Sequence, residues 1–153
     1  MRICIVYDLL YPETVGGAER WYRNVALRLA DDGHDVTYLT MRSWDAAEPP
    51  DLPNVQVVAV ARQMPLYTGG RRRILPALVF GLGVLWHLLR CGRRYDVVHT
   101  ASFPYFSLLA AAFIRPFAGY RIVVDWHEFW TRDYWREYLG ALRGWFGWQV
   151  QEL

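Results

Sequence analysis

Five short apolar runs constrain this chain more than anything else in it: Arg2–Tyr7, Val36–Thr40, Val55–Val60, Tyr95–Thr100 and Tyr120–Asp125. Each is of strand length, and each is apolar at successive positions rather than at alternate ones. Such strands need cover on both faces, which is the situation of a parallel sheet held between helices. The intervening segments supply those helices. Ala18, Trp21, Tyr22, Val25, Ala26 and Leu29 recur at the spacing of one helical face, with Glu19, Arg20, Arg23, Asn24 and Arg28 largely opposite. Gly33 is placed to cap that helix. Ile74 to Leu89 is apolar almost throughout, and Ser107 to Phe113 forms a small-residue helix. The expectation is an α/β domain with a Rossmann-like parallel sheet and helices on both faces.

At 153 residues the chain is long enough for one domain with a sizeable core and too short for two ordinary ones. Hydrophobic residues make up 54% and aromatics 16%, a composition that excludes disorder. A net charge of +2 leaves no global field to recruit nucleic acid, so no nucleic-acid partner is expected. All 17 basic residues are arginine, and without lysine there is neither a Walker-type phosphate loop nor Schiff-base chemistry. Cys4 and Cys91 give no disulfide framework. Met1 leads straight into a strand pattern with no charged-then-apolar leader, which makes a reducing, cytoplasmic setting the expectation.

Open parallel sheets bind ligands beyond the carboxyl ends of their strands. Three loops would meet there: Asp8 to Gly17, Ala101 to Tyr105, and Trp126 to Trp130. Gly16 and Gly17 precede a helix, where glycine permits positive φ and close backbone approach to a phosphate, or simply forms a turn. Arg20, on the first helical turn, would pair a phosphate or carboxylate, or stand solvated. A dinucleotide fingerprint needs G-x-G-x-x-G and an acidic residue closing the second strand, and neither is present. The Gly81-x-Gly83 pair lies inside an apolar helix pattern and lacks the third glycine.

His127 stands two residues after the fifth run, where an imidazole can bond a sugar hydroxyl or stabilise developing charge, or serve structurally. A zinc-protease H-E-x-x-H would need histidine where Thr131 stands. His99 reads as another strand-end histidine, either a contact on the acceptor side or one satisfied within the fold. His34 and His87 read as structural. No metal site and no cofactor is expected. Trp126, Phe129, Trp130, Tyr134, Trp135 and Tyr138 would stack on sugar faces or pack as core or interface. The apolar terminus from Trp145 to Leu153 reads either as a helix docked on its own domain or as a surface covered by further chain or a partner.

Ile74 to Leu89 falls short of the roughly 20 residues that span a bilayer. It reads as a buried crossover helix, with peripheral membrane contact as an addition because Arg71–Arg73 and Arg93–Arg94 flank it.

The V-G-G-A-E-R turn (Val15–Arg20), the D-D-G-H-D-V junction (Asp31–Val36), the Y-D-V-V-H run (Tyr95–His99) and the V-V-D-W-H-E segment (Val123–Glu128) together resemble family 4 glycosyltransferases. The resemblance covers nearly the whole chain and is to the N-terminal, acceptor-side half of their two-domain GT-B fold. It implies retaining transfer of a sugar from a nucleotide-sugar donor to a glycan or lipid-linked acceptor, without a required metal. It carries over Gly16 and Gly17 as lying against the donor diphosphate or the acceptor, and His127 as contacting the donor sugar near the reacting centre. Glu128 stands where the family often has aspartate, so no role carries over to it. The C-terminal nucleotide-binding domain of the family has no counterpart in these residues, and the chain alone is expected to be inactive. Two other readings stay open: a non-catalytic binding or partner module of a split two-chain glycosyltransferase, and a different nucleotide-binding α/β domain such as a flavodoxin-like one.

Overall fold

The five apolar runs pair as one parallel sheet, in the order β3-β2-β1-β6-β7. The strands are β1 (Arg2–Val6), β2 (Asp35–Arg42), β3 (Val55–Arg62), β6 (Val97–Ala101) and β7 (Arg121–Asp125). The computed structural model describes residues 1–153 other than 46, 48, 69–70, 127–129 and 153. Helix α1 (Gly17–Asp31) covers one face of the sheet, while α2 (Ile74–Cys91) and α3 (Tyr105–Ala118) cover the other. The Rossmann-like α/β expectation holds.

Successive strand residues feed opposite layers, which is why the runs are apolar throughout. Ile3 and Ile5 face α1 with Tyr22 and Ala26. Cys4, Val6 and Val98 face α2 and α3 with Phe80, Val84, Leu88 and Ile114. Cys4 is fully buried, and burial pushes its thiol pKa well up, so it behaves as a small hydrophobe. Helix α1 ends as its sequence dictates. Gly33 takes φ +80°, its N–H bonds Ala30 O at 3.0 Å, and His34 N–H bonds Leu29 O at 3.0 Å, which is a Schellman closure.

Several elements depart from the sequence reading. The basic run Arg71–Arg72 is strand β5, paired antiparallel with β4 (Tyr67–Thr68) in a separate two-stranded sheet. Ser43 to Pro53, whose acidic residues and prolines predict a surface loop, is partly buried, because Trp44 (8% exposed) and Leu52 (3%) plug the α1 layer. Helix α3 starts two residues earlier and ends five later than read, tolerating Pro116 in its last turn. Trp21, assigned to the buried face of α1, is 52% exposed, whereas Glu19, assigned to the wet face, is 9% exposed.

Helix α2 is a crossover, as expected, but it is buried along one side only. Phe80, Val84 and Leu88 are sealed against the sheet, while Leu82, Trp86 and Leu89 are 55–58% exposed. A helix laid on a sheet face contacts it along one stripe, and among the described residues no further layer covers the other. The Gly81 and Gly83 pair belongs to this packing. A Cβ on Gly81 would lie 2.5 Å from Phe106 Cβ of α3, and one on Gly83 would strike the Val60 carbonyl of β3.

Helices α4 (Arg132–Leu139) and α5 (Ala141–Glu152) follow β7. Thr131 Oγ1 caps α4 by accepting Tyr134 N–H at 3.2 Å. Gly144 and Gly147 let α5 lie directly on the backbone and indole of Trp135. Helix α5 thus docks on its own domain along one side, while Leu142, Trp145 and Phe146 stay more than half exposed, so both readings of the apolar terminus stand.

Candidate functional site

Strand order reverses direction between β1 and β6, since the chain builds β1-β2-β3 outward and then returns to β6 and β7. Such a switch point opens a crevice beyond the carboxyl ends of the two adjacent strands. The carboxyl ends of β1, β6 and β7 therefore stand side by side.

The loops after β1 and β6 are pinned by specific bonds. Tyr38 O–H donates to Leu9 O at 3.0 Å, Met41 N–H donates to Asp8 O at 3.1 Å, and Leu10 is fully buried. Ser102 N–H donates to Asp125 O at 2.9 Å, tying the loop after β6 to the end of β7. Trp130, just ahead of α4, belongs to an aromatic wall. Trp130 stacks on Phe103 at 5.8 Å and meets Trp135 at 4.8 Å. Gln151 locks this wall to α5 by accepting from Tyr105 O–H and Trp135 Nε1–H, both at 3.0 Å, and by donating to Trp130 O at 2.9 Å. Of the predicted cluster, Trp130 and Trp135 are thus packing, whereas Trp126 and Tyr134 remain about half exposed; Phe129 and the Tyr138 side chain lie outside what is described.

Gly16 is the N-cap of α1 and Gly17 its first helical residue. Neither uses positive φ, contrary to one of the two uses foreseen for them: Gly16 is extended at φ −158°. The space around the two differs. The Glu19 carboxylate lies against Gly16 so closely that a Cβ there would collide with it, while a Cβ on Gly17 would meet nothing within 4 Å. A carboxylate on the first turn is favoured by the partial positive charge of a helix N-terminus. It also takes the position an anion would want, so the glycine turn is open at Gly17 and already acidic at Gly16. Arg20 lies beside it, exposed, with its guanidinium 5.1 Å from the Tyr11 ring centroid.

His99 is the third of five residues in β6, mid-strand rather than at the strand end, and faces the α1 layer. Its Nε2 lies 2.9 Å from Asp125 Oδ2. A carboxylate only accepts, so Nε2 carries the proton. Trp21 Nε1–H donates to the same oxygen at 3.0 Å, and the Tyr22 ring sits 5.6 Å from the imidazole and stacks on Tyr7 at 4.4 Å. Burial works to raise the Asp125 pKa, but the Trp21 bond and the His99 charge and bond outweigh it and hold the carboxyl below its ordinary range. This cluster fastens α1 to β6 and β7. His87 is structural as read, bonded to Tyr95 O–H at 2.8 Å.

His127, the residue read as catalytic, lies with Glu128 and Phe129 outside the described residues. Asp125, Glu19 and Gln151 are the polar residues that sequence reasoning passed over. Asp125 ends an apolar strand, which was a usable signal. The other two are recognisable only from what they touch.

A parallel α/β sheet with this strand order, reversing between β1 and β6, defines a Rossmann-like domain. The chain belongs to glycosyltransferase family 4, whose sequence profile matches residues 15–153. It is therefore a glycosyltransferase-like domain, and a sugar donor and an acceptor are the substrates that family membership implies. No curated protein matches the chain.

Proposed function

We propose that this domain is the acceptor-side lobe of a retaining glycosyltransferase that uses a nucleotide-sugar donor and a glycan or lipid-linked acceptor. Cell-surface glycan synthesis is the context this suggests, with the domain on the cytoplasmic side and peripheral to the membrane. The observation that carries the reading is the open first turn of α1 at Gly17, beside the crevice between β1 and β6. Gly17 and Arg20 line the substrate entrance, His99 acts as a positioning residue through Asp125, and His127 contacts the donor sugar. A second nucleotide-binding lobe, in the same polypeptide or another, completes the cleft. Catalysis then rests on orientation and on electrostatic stabilisation of an oxocarbenium-like state and the departing phosphate.

Glu19 already occupies the anion position on α1, which disfavours a phosphate there and suits an acceptor hydroxyl instead. Titrating the ¹⁵N-labelled chain with UDP-glucose, GDP-mannose, flavin mononucleotide and NAD separates the possibilities. Nucleotide-sugar shifts concentrated at Gly16, Gly17, Ser102 and Trp126 support the crevice. Shifts elsewhere, or tighter binding of flavin than of any nucleotide sugar, would refute it. In the complete assembly, unchanged sugar transfer by His127→Ala would remove that residue from catalysis.

A further inference from the structure

We propose that the outer face of α2 and α3 is a docking surface for an anionic phospholipid bilayer. The inference extends the lipid-linked-acceptor reading, but it rests on a different surface and is tested without sugar transfer.

The face is continuous and apolar. Leu78, Leu82, Trp86 and Leu89 form a stripe along α2, and Phe113 and Phe117 continue it on α3, both more than 60% exposed. Between the helices runs an open apolar groove of about 480 Å³. Scattered exposed hydrophobes are ordinary, but two adjacent helices that both present them along their length make an interaction surface.

Charge identifies the occupant. Residues 52–124 hold nine arginines and one acid, a net +8, so the rest of the chain carries −6 to give its overall +2. The one acid, Asp96, is already bonded to Arg2 at 2.7 Å. Neither α2 nor α3 contains an acidic residue. Exposed arginines frame the apolar stripe: Arg73 at the start of α2, Arg90, Arg93 and Arg94 at its end, and Arg115 in the last turn of α3. The Arg90 guanidinium lies 3.5 Å from the Trp86 ring centroid, and Arg93 Nε donates to Phe117 O at 3.2 Å. Apolar side chains ringed by arginine, with an aromatic at the boundary, match an interface of acyl chains and anionic headgroups. A second copy would set this net positive face against itself, and nucleic acid would leave the apolar stripe wet.

The segment Ile74–Arg94 is long and apolar enough, by composition alone, to cross a bilayer. It does not do so here, because Phe80, Val84 and Leu88 are committed to the sheet. The helices lie in the interface plane.

Flotation of the full chain with phosphatidylcholine vesicles, with and without phosphatidylglycerol, tests this. The chain should float with anionic vesicles, less so as salt rises, and far less with neutral ones. Trp86→Ser with Phe113→Ser should reduce binding at least tenfold, and Arg93→Gln and Arg94→Gln should each reduce it about fivefold. All four side chains are exposed, so circular dichroism should show folded variants. The salt series on the unmodified chain needs no variant at all. Three results would overturn the proposal: no flotation with anionic vesicles, flotation unaffected by the substitutions, or self-association that the substitutions abolish without any vesicle binding.

Discussion

Replacing Asp125 with alanine tests the carboxylate that joins α1 to β6 and β7. Its carboxylate accepts from His99 Nε2 at 2.9 Å and from Trp21 Nε1 at 3.0 Å. The two losses differ in kind. Trp21 is 52% exposed, so its indole N–H passes to water at a cost of about 0.5 kcal/mol. His99 is 9% exposed, and an N–H stranded there costs about 1–3 kcal/mol. Asp125→Ala should therefore lose about 2–3 kcal/mol. For a chain of this length that lowers Tm by roughly 5–10 °C. Trp21→Phe removes only the exposed bond and should shift Tm by no more than about 2 °C.

The pH dependence follows from the sign of the shift. The folded Asp125 carboxyl titrates below its ordinary value, despite burial, because of Trp21 and His99. Its stabilisation is fully present above the unfolded carboxylate pKa of about 3.9, and disappears as pH falls through the folded value. Thermal unfolding followed by circular dichroism should show wild type and Asp125→Ala separated at neutral pH and converging in acid. An Asp125→Ala chain melting within ~1 °C of wild type at neutral pH, less than one lost buried hydrogen bond produces, would refute the assignment of Asp125 as the clamp on α1.

Gly17→Ala should leave the fold intact or stabilise it by about 0.4–1 kcal/mol, since the position is helical and open, while weakening nucleotide-sugar shifts in the titration above; unweakened binding would show that nothing approaches that turn. Gly83→Ala should cost about 1–3 kcal/mol, read as a lower Tm, because the Val60 carbonyl it strikes belongs to a sheet strand and cannot move aside. The Asp96 carboxyl, bonded by the side chain and backbone of Arg2, is held down to about 2. A depressed carboxyl stabilises above its unfolded pKa and stops doing so as pH falls towards 2, so Asp96→Asn should flatten the acid limb of the stability curve between those values.

What the sequence made legible was whatever burial on two faces demands. The five strands, their parallel pairing and the crossover position of α2 all follow from runs with no wet side. The Gly33 closure was equally plain, because a helix needing a left-handed residue at its end leaves glycine there. The site was legible as a place rather than as a set of contacts. Topology alone brings the carboxyl ends of β1, β6 and β7 together, but Glu19 folds back onto Gly16 from a position that helical periodicity assigns to solvent. Asp125 and His99 lie 26 residues apart with no local pattern linking them, and Gln151 meets Tyr105 across 46 residues. Such contacts depend on how helices settle on the sheet, which a single sequence does not encode in any short window.

The crevice and the α2–α3 face meet at one turn, and that junction gives the two proposals a common geometry. Tyr105, the first residue of α3, bonds Gln151 in the aromatic wall beside the crevice. Phe106, its neighbour, lines the apolar groove against α2. Both α2 and α3 begin at the carboxyl edge of the sheet and run towards its amino edge, where Arg90, Arg93, Arg94 and Arg115 stand. A bilayer lying against these helices would therefore reach the sheet's ligand edge at the start of α3. An acceptor anchored in that bilayer would present its headgroup beside Ser102 and Phe103 without leaving the membrane. Its encounter with the crevice then becomes a search in two dimensions, and the bilayer raises the effective acceptor concentration without any new protein contact. A soluble acceptor gains nothing from the apolar face. That asymmetry favours a lipid-linked acceptor over a free glycan.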